Sequence, residues 1–335
     1  MTALRAEAVT KWFTVRQPRP VGHPWWRPRR VERLTALSEV DFAIEVGEAV
    51  GLLGANGAGK STVVKLLTGL LVPDHGRVSV LGLDPHRDGQ KCAWHIGVVF
   101  GQRSQLWWDL PARASFDILR AIYEIPAAEF ASRIQRLDEV LGFRSFWERQ
   151  ARSMSLGQRV RADLAASLVH DPRVLFLDEP TIGLDVLVKD QVRALLADLA
   201  TTGDHTIVLT SHDAVDIESL CPRLIVIDDG SVIYEGPTEK IAGLLGDQSH
   251  HVTAEFSQAV DIADDHVHGT VVTSSPTGAS FATKPDATVG ELAAELLARH
   301  PVRSITVGQP RLDNVLRALY AGDRGPSAHA DRLAV

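Results

Sequence analysis

Glycines, a lysine and hydroxyls are spaced for phosphate chemistry in the run Gly54-Ala55-Asn56-Gly57-Ala58-Gly59-Lys60-Ser61-Thr62. Gly54, Gly57 and Gly59 allow positive φ and a close backbone approach to an anion, with no Cβ in the way. The N–H groups of such a turn converge as an anion nest, reinforced by the N-terminus of the helix that follows. Lys60 would reach the β- and γ-phosphates, and the Ser61 hydroxyl would ligate Mg²⁺. A second group is Asp178-Glu179, directly after the apolar run Val174-Leu175-Phe176-Leu177. Two acids at the carboxyl end of a buried strand are costly unless a cation or a reaction uses them. A third is Ser211-His212-Asp213, at the end of another apolar run. The glycine-rich run by itself predicts a nucleoside triphosphate site.

The elements that must position them are legible from pattern. Ala49-Val50-Gly51-Leu52-Leu53 reads as a strand and Val63-Val64-Lys65-Leu66-Leu67 as a helix with one apolar face. Strand, glycine-rich turn, helix is the context that separates a phosphate loop from a chance match. Further strands are expected at 9–13, 40–44, 76–81, 95–100, 174–177 and 206–210, with a hairpin of 224–228 and 231–234 turning at Asp229-Gly230. From 112 to about 169 the period becomes helical, through Phe116, Leu119 and Ile122, then Ile134, Leu137 and Leu141. Ser155 is a good N-cap for a last helix, which Pro172 stops. After about 246 come short strands at 250–256, 269–273, 279–283 and 304–307, with helices at 289–297 and 312–320. This is a small α+β appendage spanning 246–321, followed by a disordered tail at 322–335.

Residues 16–33 depart from the rest. They hold Arg16, Arg19, Arg27, Arg29, Arg30 and Arg33, four prolines, and the pair Trp25-Trp26. The prolines forbid a helix or central strand, so an extended loop is expected. It is either a solvated connection or a patch for lipid headgroups or a partner.

Composition sets the outer limits. The 335 residues are 45% hydrophobic and 23% charged with a net charge of −7, as in a soluble globular protein without global nucleic-acid affinity. No stretch is long and apolar enough to span a membrane, and Met1 to Lys11 lacks the apolar core of a secretory signal. A cytoplasmic chain is expected. Cys92 and Cys221 form neither a disulfide framework nor a zinc pattern. His250, His251, His266 and His268 bring metal binding to mind, but lack a fixed ligand spacing.

The first 240 or so residues resemble the nucleotide-binding subunit of an ATP-binding-cassette (ABC) transporter. The resemblance rests on the phosphate loop 54–62, the signature Met154-Ser155-Leu156-Gly157-Gln158, the acidic pair Asp178-Glu179, the D-loop Gly183-Leu184-Asp185 and His212, in that order. Leu156 stands where the family usually has glycine. That form occurs among exporter-type ATPases with separately encoded permeases, which residues 99–110 and 310–315 also resemble. The implied fold is an ABC-type P-loop NTPase over 1–245, with a RecA-like core, an antiparallel β subdomain and an α-helical subdomain at about 105–168.

The resemblance also implies roles. Phe13 stacks on adenine, with Trp12 as runner-up, and residues 54–62 cradle the phosphates. Ser61, Gln102 and Asp178 face Mg²⁺, although Gln102 is one residue further from Gly97 than is usual. Glu179 is the base for the attacking water, and His212 contacts the γ-phosphate. Ser155, Gly157 and Gln158 face ATP bound to the opposite subunit, and Asp185 of the D-loop is a further nucleotide-binding residue. The implied cofactors are ATP and Mg²⁺. The implied partners are a second ABC ATPase subunit, identical or not, and membrane permease subunits that hold the chain on the cytoplasmic face. No nucleic acid is expected. An importer ATPase with a C-terminal regulatory domain and an ABC ATPase not coupled to transport are the alternatives.

Overall fold

The computed structural model describes residues 1–16, 31–100, 104–211, 213–244, 251–260, 262, 266–284 and 286–308. In chain order the elements are β1 (Thr2–Arg16), β2 (Val31–Glu45), β3 (Ala49–Leu53), α1 (Lys60–Leu67), β4 (His75–Val80), α2 (Gly89–Ala93) and β5 (Ile96–Phe100). Then come α3 (Ala112–Ile122), α4 (Ala127–Leu141), α5 (Leu156–Leu168), β6 (Val174–Asp178), α6 (Val186–Thr202), β7 (Thr206–Thr210) and α7 (Ala214–Leu220). The last are β8 (Arg223–Asp228), β9 (Ser231–Pro237), α8 (Thr238–Leu244), β10 (His251–Phe256), β11 (Gly269–Ser275), β12 (Gly278–Thr283), α9 (Val289–Arg299) and β13 (Val302–Gly308). The chain divides into two compact units, Met1–Thr238 and Glu239–Val335. The boundary expected at 245/246 falls inside the second.

In the first unit a six-stranded sheet runs β5-β6-β7-β3-β8-β9, parallel except for β9. Its central strands β3 and β7 are buried along their whole length. Continuous apolar runs such as Thr206-Ile207-Val208-Leu209-Thr210 are what a sheet covered on both faces requires. The β8–β9 hairpin turns where expected, with Asp229 at φ 43° and Gly230 at φ 78°, the positive pair that a two-residue turn of the primed type needs. A second sheet, β2-β1-β4, is antiparallel and shares one core with β3 and α1, through Leu4, Leu37, Phe42, Val50, Leu52, Val63, Leu66 and Ile225.

The β1–β2 hairpin corrects the expectation for this region. Both strands are 15 residues long, and Arg16 pairs with Val31, Val15 with Glu32 and Thr14 with Arg33. Both ends of the expected loop 16–33 are therefore strand, while 17–30 lie outside the described residues. The period-2 signal is broken by register shifts between Ala6 and Val9 and on either side of Lys11, and by positive φ at Ala8 and Glu39. Such bulges hide a long strand from any test of alternation.

Three helices, α3, α4 and α5, lie between β5 and β6 in the chain. Ser155 caps α5 reciprocally: its Oγ accepts from the Gln158 N–H at 3.2 Å, and Gln158 Oε1 accepts from the Ser155 N–H at 3.1 Å. The second unit is a four-stranded antiparallel sheet, β11-β12-β10-β13, with α9 over a core of Val252, Ala254, Phe256, Phe281, Leu292 and Leu296. The expected helix at 312–320 and tail at 322–335 lie outside the described residues.

Candidate nucleotide site

The phosphate loop leaves β3 and enters α1. Gly54 has φ 149° and Gly59 φ 117°. A Cβ on Gly54 would come 2.1 Å from the Ile227 carbonyl oxygen, and one on Gly59 2.8 Å from that of Ala36. The loop's back is thus pressed against β8 and β2, where only glycine fits. Gly57, at φ 88°, has nothing within 4 Å of its missing side chain, so its glycine serves backbone conformation alone. Lys60 folds over the loop, its ammonium donating to the carbonyls of Gly54 (2.5 Å) and Ala55 (3.1 Å). Burial lowers its pKa, and the charges of Asp178 and Glu179 pull it back up. The lysine is therefore half-buried and within the field of both acids.

Strand register brings the rest to the same edge. Phe100, Asp178 and Thr210 are level across β5, β6 and β7, and Gly51 of β3 pairs with Leu209. The carboxyl ends of these strands, where parallel sheets bind ligands, thus lie along one edge. Asp178 accepts from the Thr210 hydroxyl at 2.5 Å. Glu179 has φ 56°, uncommon outside glycine, and its N–H donates to the Thr210 carbonyl at 3.0 Å. That contact turns the chain sharply as it leaves β6. Backbone outliers of this kind cluster at working sites.

Fully buried Asp216 on α7 holds the loops behind the acids together. Its carboxylate accepts from Thr181 Oγ1 (2.5 Å), Ser211 Oγ (2.9 Å) and Arg193 Nε (2.6 Å). Arg193 and Lys189 also reach Asp213, whose N–H donates to Ser211 Oγ. Both neighbours of residue 212 are thereby fixed. His212 itself and Gln102 lie outside the described residues.

Ser155, Gly157 and Gln158 sit at the N-terminus of α5, and Asp185 caps α6 by accepting from the Val188 N–H at 3.0 Å. Leu156 is 45% exposed and lies against the D-loop: a Cβ on Gly183 would meet its Cδ2 at 2.3 Å. Of the two adenine candidates, Trp12 has Arg33 over one ring face at 4.4 Å and an edge contact with His75. Phe13 is the more exposed of the pair.

Sequence reading missed Thr210, Asp216, Arg193 and Asp163. Thr210 and Ser211 stood beside His212 in the sequence, and an acid next to the apolar helix positions Ala214, Ile217 and Leu220 was the available sign for Asp216. Among the described residues no three His, Cys, Asp or Glu side chains could hold a metal ion by themselves. In the second unit, His268 Nδ1 lies 2.9 Å from Glu295 and His266 Nδ1 3.5 Å from it.

The donor set suits a magnesium nucleotide. The glycine cradle excludes side chains, Lys60 supplies a cation, and the Ser61 hydroxyl and Asp178 carboxylate are hard oxygen ligands of the kind Mg²⁺ takes.

Comparison with known proteins agrees. A family model described as ABC transporter matches residues 37–182. The chain is 34% identical over 206 residues to the ABC transporter ATP-binding protein NatA of Bacillus subtilis, covering 62% of this chain and 83% of that one. It is 33% identical over 297 residues to the daunorubicin resistance ATP-binding protein DrrA3 of Streptomyces coeruleorubidus, covering 86% and 92%. A methionine import ATP-binding protein, MetN of Geobacillus kaustophilus, is 34% identical over 207 residues, covering 61% and 60%. Among solved structures, an ATP-binding cassette captured as a dimer after hydrolysis, bound to ADP and Pi, superposes with a TM-score of 0.59 at 25% identity, over 70% of this chain and 98% of that one. The chain belongs to the ATP-binding proteins of ABC transporters, and it is an ATPase of the P-loop fold.

Proposed function

We propose that this chain is the energy-coupling subunit of an exporter, closing as a dimer around two ATP molecules beneath a separate permease. The observation that carries the dimer is the exposed apolar surface around the signature and the D-loop. Leu156 is 45% exposed, Val186 73% and Leu187 76%, next to the exposed caps Ser155 and Asp185. A lone subunit has no use for such a patch, whereas a facing subunit would cover it.

In this reading the phosphate loop and Lys60 bind and orient the triphosphate of one ATP. Ser61, Asp178 and Gln102 would hold Mg²⁺, which supplies charge neutralisation at the transferring phosphate. Glu179 takes the proton from the attacking water, and His212 meets the γ-phosphate. The partner's signature, at a helix N-terminus, completes the site. Phosphoryl transfer needs in-line positioning and charge neutralisation more than covalent chemistry, so two half-sites that meet only on closure suffice.

Exposed Trp107, Trp108 and Leu110, a few residues after Gln102 in the chain, offer a surface for the permease. Export is favoured by the likeness to the daunorubicin resistance protein DrrA3, 33% identical and running through 92% of that protein, against 60% and 79% of two methionine import proteins.

Glu179→Gln tests the site. It should bind ATP as before, hydrolyse it several decades more slowly, and elute as a dimer in size-exclusion chromatography with ATP. Hydrolysis near the wild-type rate would place the base elsewhere. Direction is tested by purifying the chain from membranes with its permease and following ATP-driven movement of substrate in vesicles of known orientation.

A further inference from the structure

Asp163 sits two turns into α5 and is only 6% exposed. Its Oδ1 accepts from the Ser104 hydroxyl at 2.8 Å and from the Gln105 N–H at 3.0 Å. The Gln105 side chain returns the contact, its amide donating to the Asp163 carbonyl at 2.8 Å and to the Val98 carbonyl of β5 at 3.3 Å. The Leu106 N–H donates to Ser104 Oγ at 3.2 Å. Residues 104–106, the described stretch following Gln102, are therefore tied to one side chain of the signature helix.

A carboxylate is an expensive way to fill this place. Burial pushes its pKa up to about 6, against the donors from Ser104, Gln105 and Leu106 and the charge of Arg159 one turn earlier. Arg159 itself lies over the Trp108 ring at 4.8 Å. An apolar residue would pack the inside of α5 at less cost. What Asp163 adds is an acceptor for two donors on consecutive residues of one loop.

We propose that Asp163 is a positioning residue for ATP hydrolysis, clamping residues 104–106, which follow Gln102 in the chain, to the signature helix. The clamp spans about 12 Å of helix, eight residues at 1.5 Å each, from Asp163 to the Ser155 cap. A displacement of residues 104–106 is then a displacement of the signature helix. The proposal rests on the roles given to Gln102 and Ser155 above, whereas the clamp rests only on the contacts.

The full chain tests it in four forms: wild type, Asp163→Ala, Asp163→Asn and Ser104→Ala. The readouts are hydrogen exchange over residues 98–110, ATP affinity by calorimetry without Mg²⁺, and the Mg²⁺ dependence of hydrolysis. Asp163→Ala should speed exchange at 104–106 and leave Mg²⁺-free ATP affinity within about twofold. It should also raise the half-maximal Mg²⁺ concentration about tenfold, the size expected for losing one or two hydrogen bonds to a charged group. Ser104→Ala should move the same way by less. Asp163→Asn keeps an acceptor oxygen and should return both readouts toward wild type.

Unchanged exchange in Asp163→Ala would overturn the clamp. So would activity lost in proportion to the folded fraction, measured by circular dichroism, with the Mg²⁺ dependence intact. Gln102→Ala separates the two levels of the argument. Wild-type Mg²⁺ dependence there, with the exchange effect of Asp163→Ala still present, would remove the glutamine's role and with it the proposed effect on hydrolysis, leaving only the contact.

Discussion

Lys60 shows how a single residue carries opposed demands. Burial lowers its pKa, the charges of Asp178 and Glu179 oppose that shift, and its ammonium donates to the carbonyls of its own loop. A triphosphate would meet a cation already desolvated and aimed. Lys60→Ala should weaken ATP binding at least tenfold, about 1.4 kcal/mol, because the phosphate charge loses its point-charge partner. Calorimetry within a few-fold of wild type would refute the loop's role. Asp163 has the opposite sign. Its pKa rises from an ordinary 3.8 to about 6 on folding, so its contribution favours the folded state at low pH and is lost as pH climbs through that window. Asp163→Asn does not titrate, and its stability relative to wild type should grow from about pH 4 to pH 6, reaching up to roughly 3 kcal/mol at pH 7. Urea unfolding of both proteins across that range checks this, and parallel profiles would contradict it.

At the level of elements, the N-terminus of α5 meets the turn before α6. Leu156 occupies the space that a side chain at residue 183 would need, and Gly183 adopts φ 70° beneath it. A Cβ on Gly157 would likewise approach the Gly183 carbonyl oxygen to 3.2 Å. The signature and the D-loop of one subunit are therefore in van der Waals contact through a leucine. Gly183→Ala should destabilise the wild type and cost less in a Leu156→Gly background, since the clash is gone while the φ strain remains. A double-mutant cycle read by thermal unfolding should return a coupling of about 1 kcal/mol. Strict additivity would show that the two loops ignore each other.

Across the whole molecule, the two compact units have separate apolar cores, and every described residue of the nucleotide site belongs to Met1–Thr238. Glu295 anchors the second unit independently of the site. Burial pushes its carboxyl up, but N–H groups of Val267 and His268, the His268 ring and Arg299 hold it at about 2. A chain ending after residue 244 should therefore keep its far-ultraviolet circular dichroism per residue and bind ATP within a few-fold of full length. Loss of both would show that the first unit needs the second to fold.

The sequence by itself determined the chemistry of the site and the order of its parts. Glycine spacing, the acid pair after an apolar run, and serine before a helical period are local patterns, and each has a local physical cause. Gly54 and Gly59 are where a Cβ cannot fit, and Ser155 caps the helix it was expected to cap. Only the tertiary structure decided which distant residues support that chemistry. Thr210 reaches Asp178 because β6 and β7 are neighbours, and Asp216 gathers residues 181, 193 and 211 through folding alone. Asp163 is one of several polar residues in α5, and its partners lie almost 60 positions away in the chain. The length of the β1–β2 hairpin was hidden for the same reason: cross-strand pairing sustains it through bulges that erase the alternating pattern. Periodicity reports which face an element buries, but it carries no information about which partner a buried polar group will find.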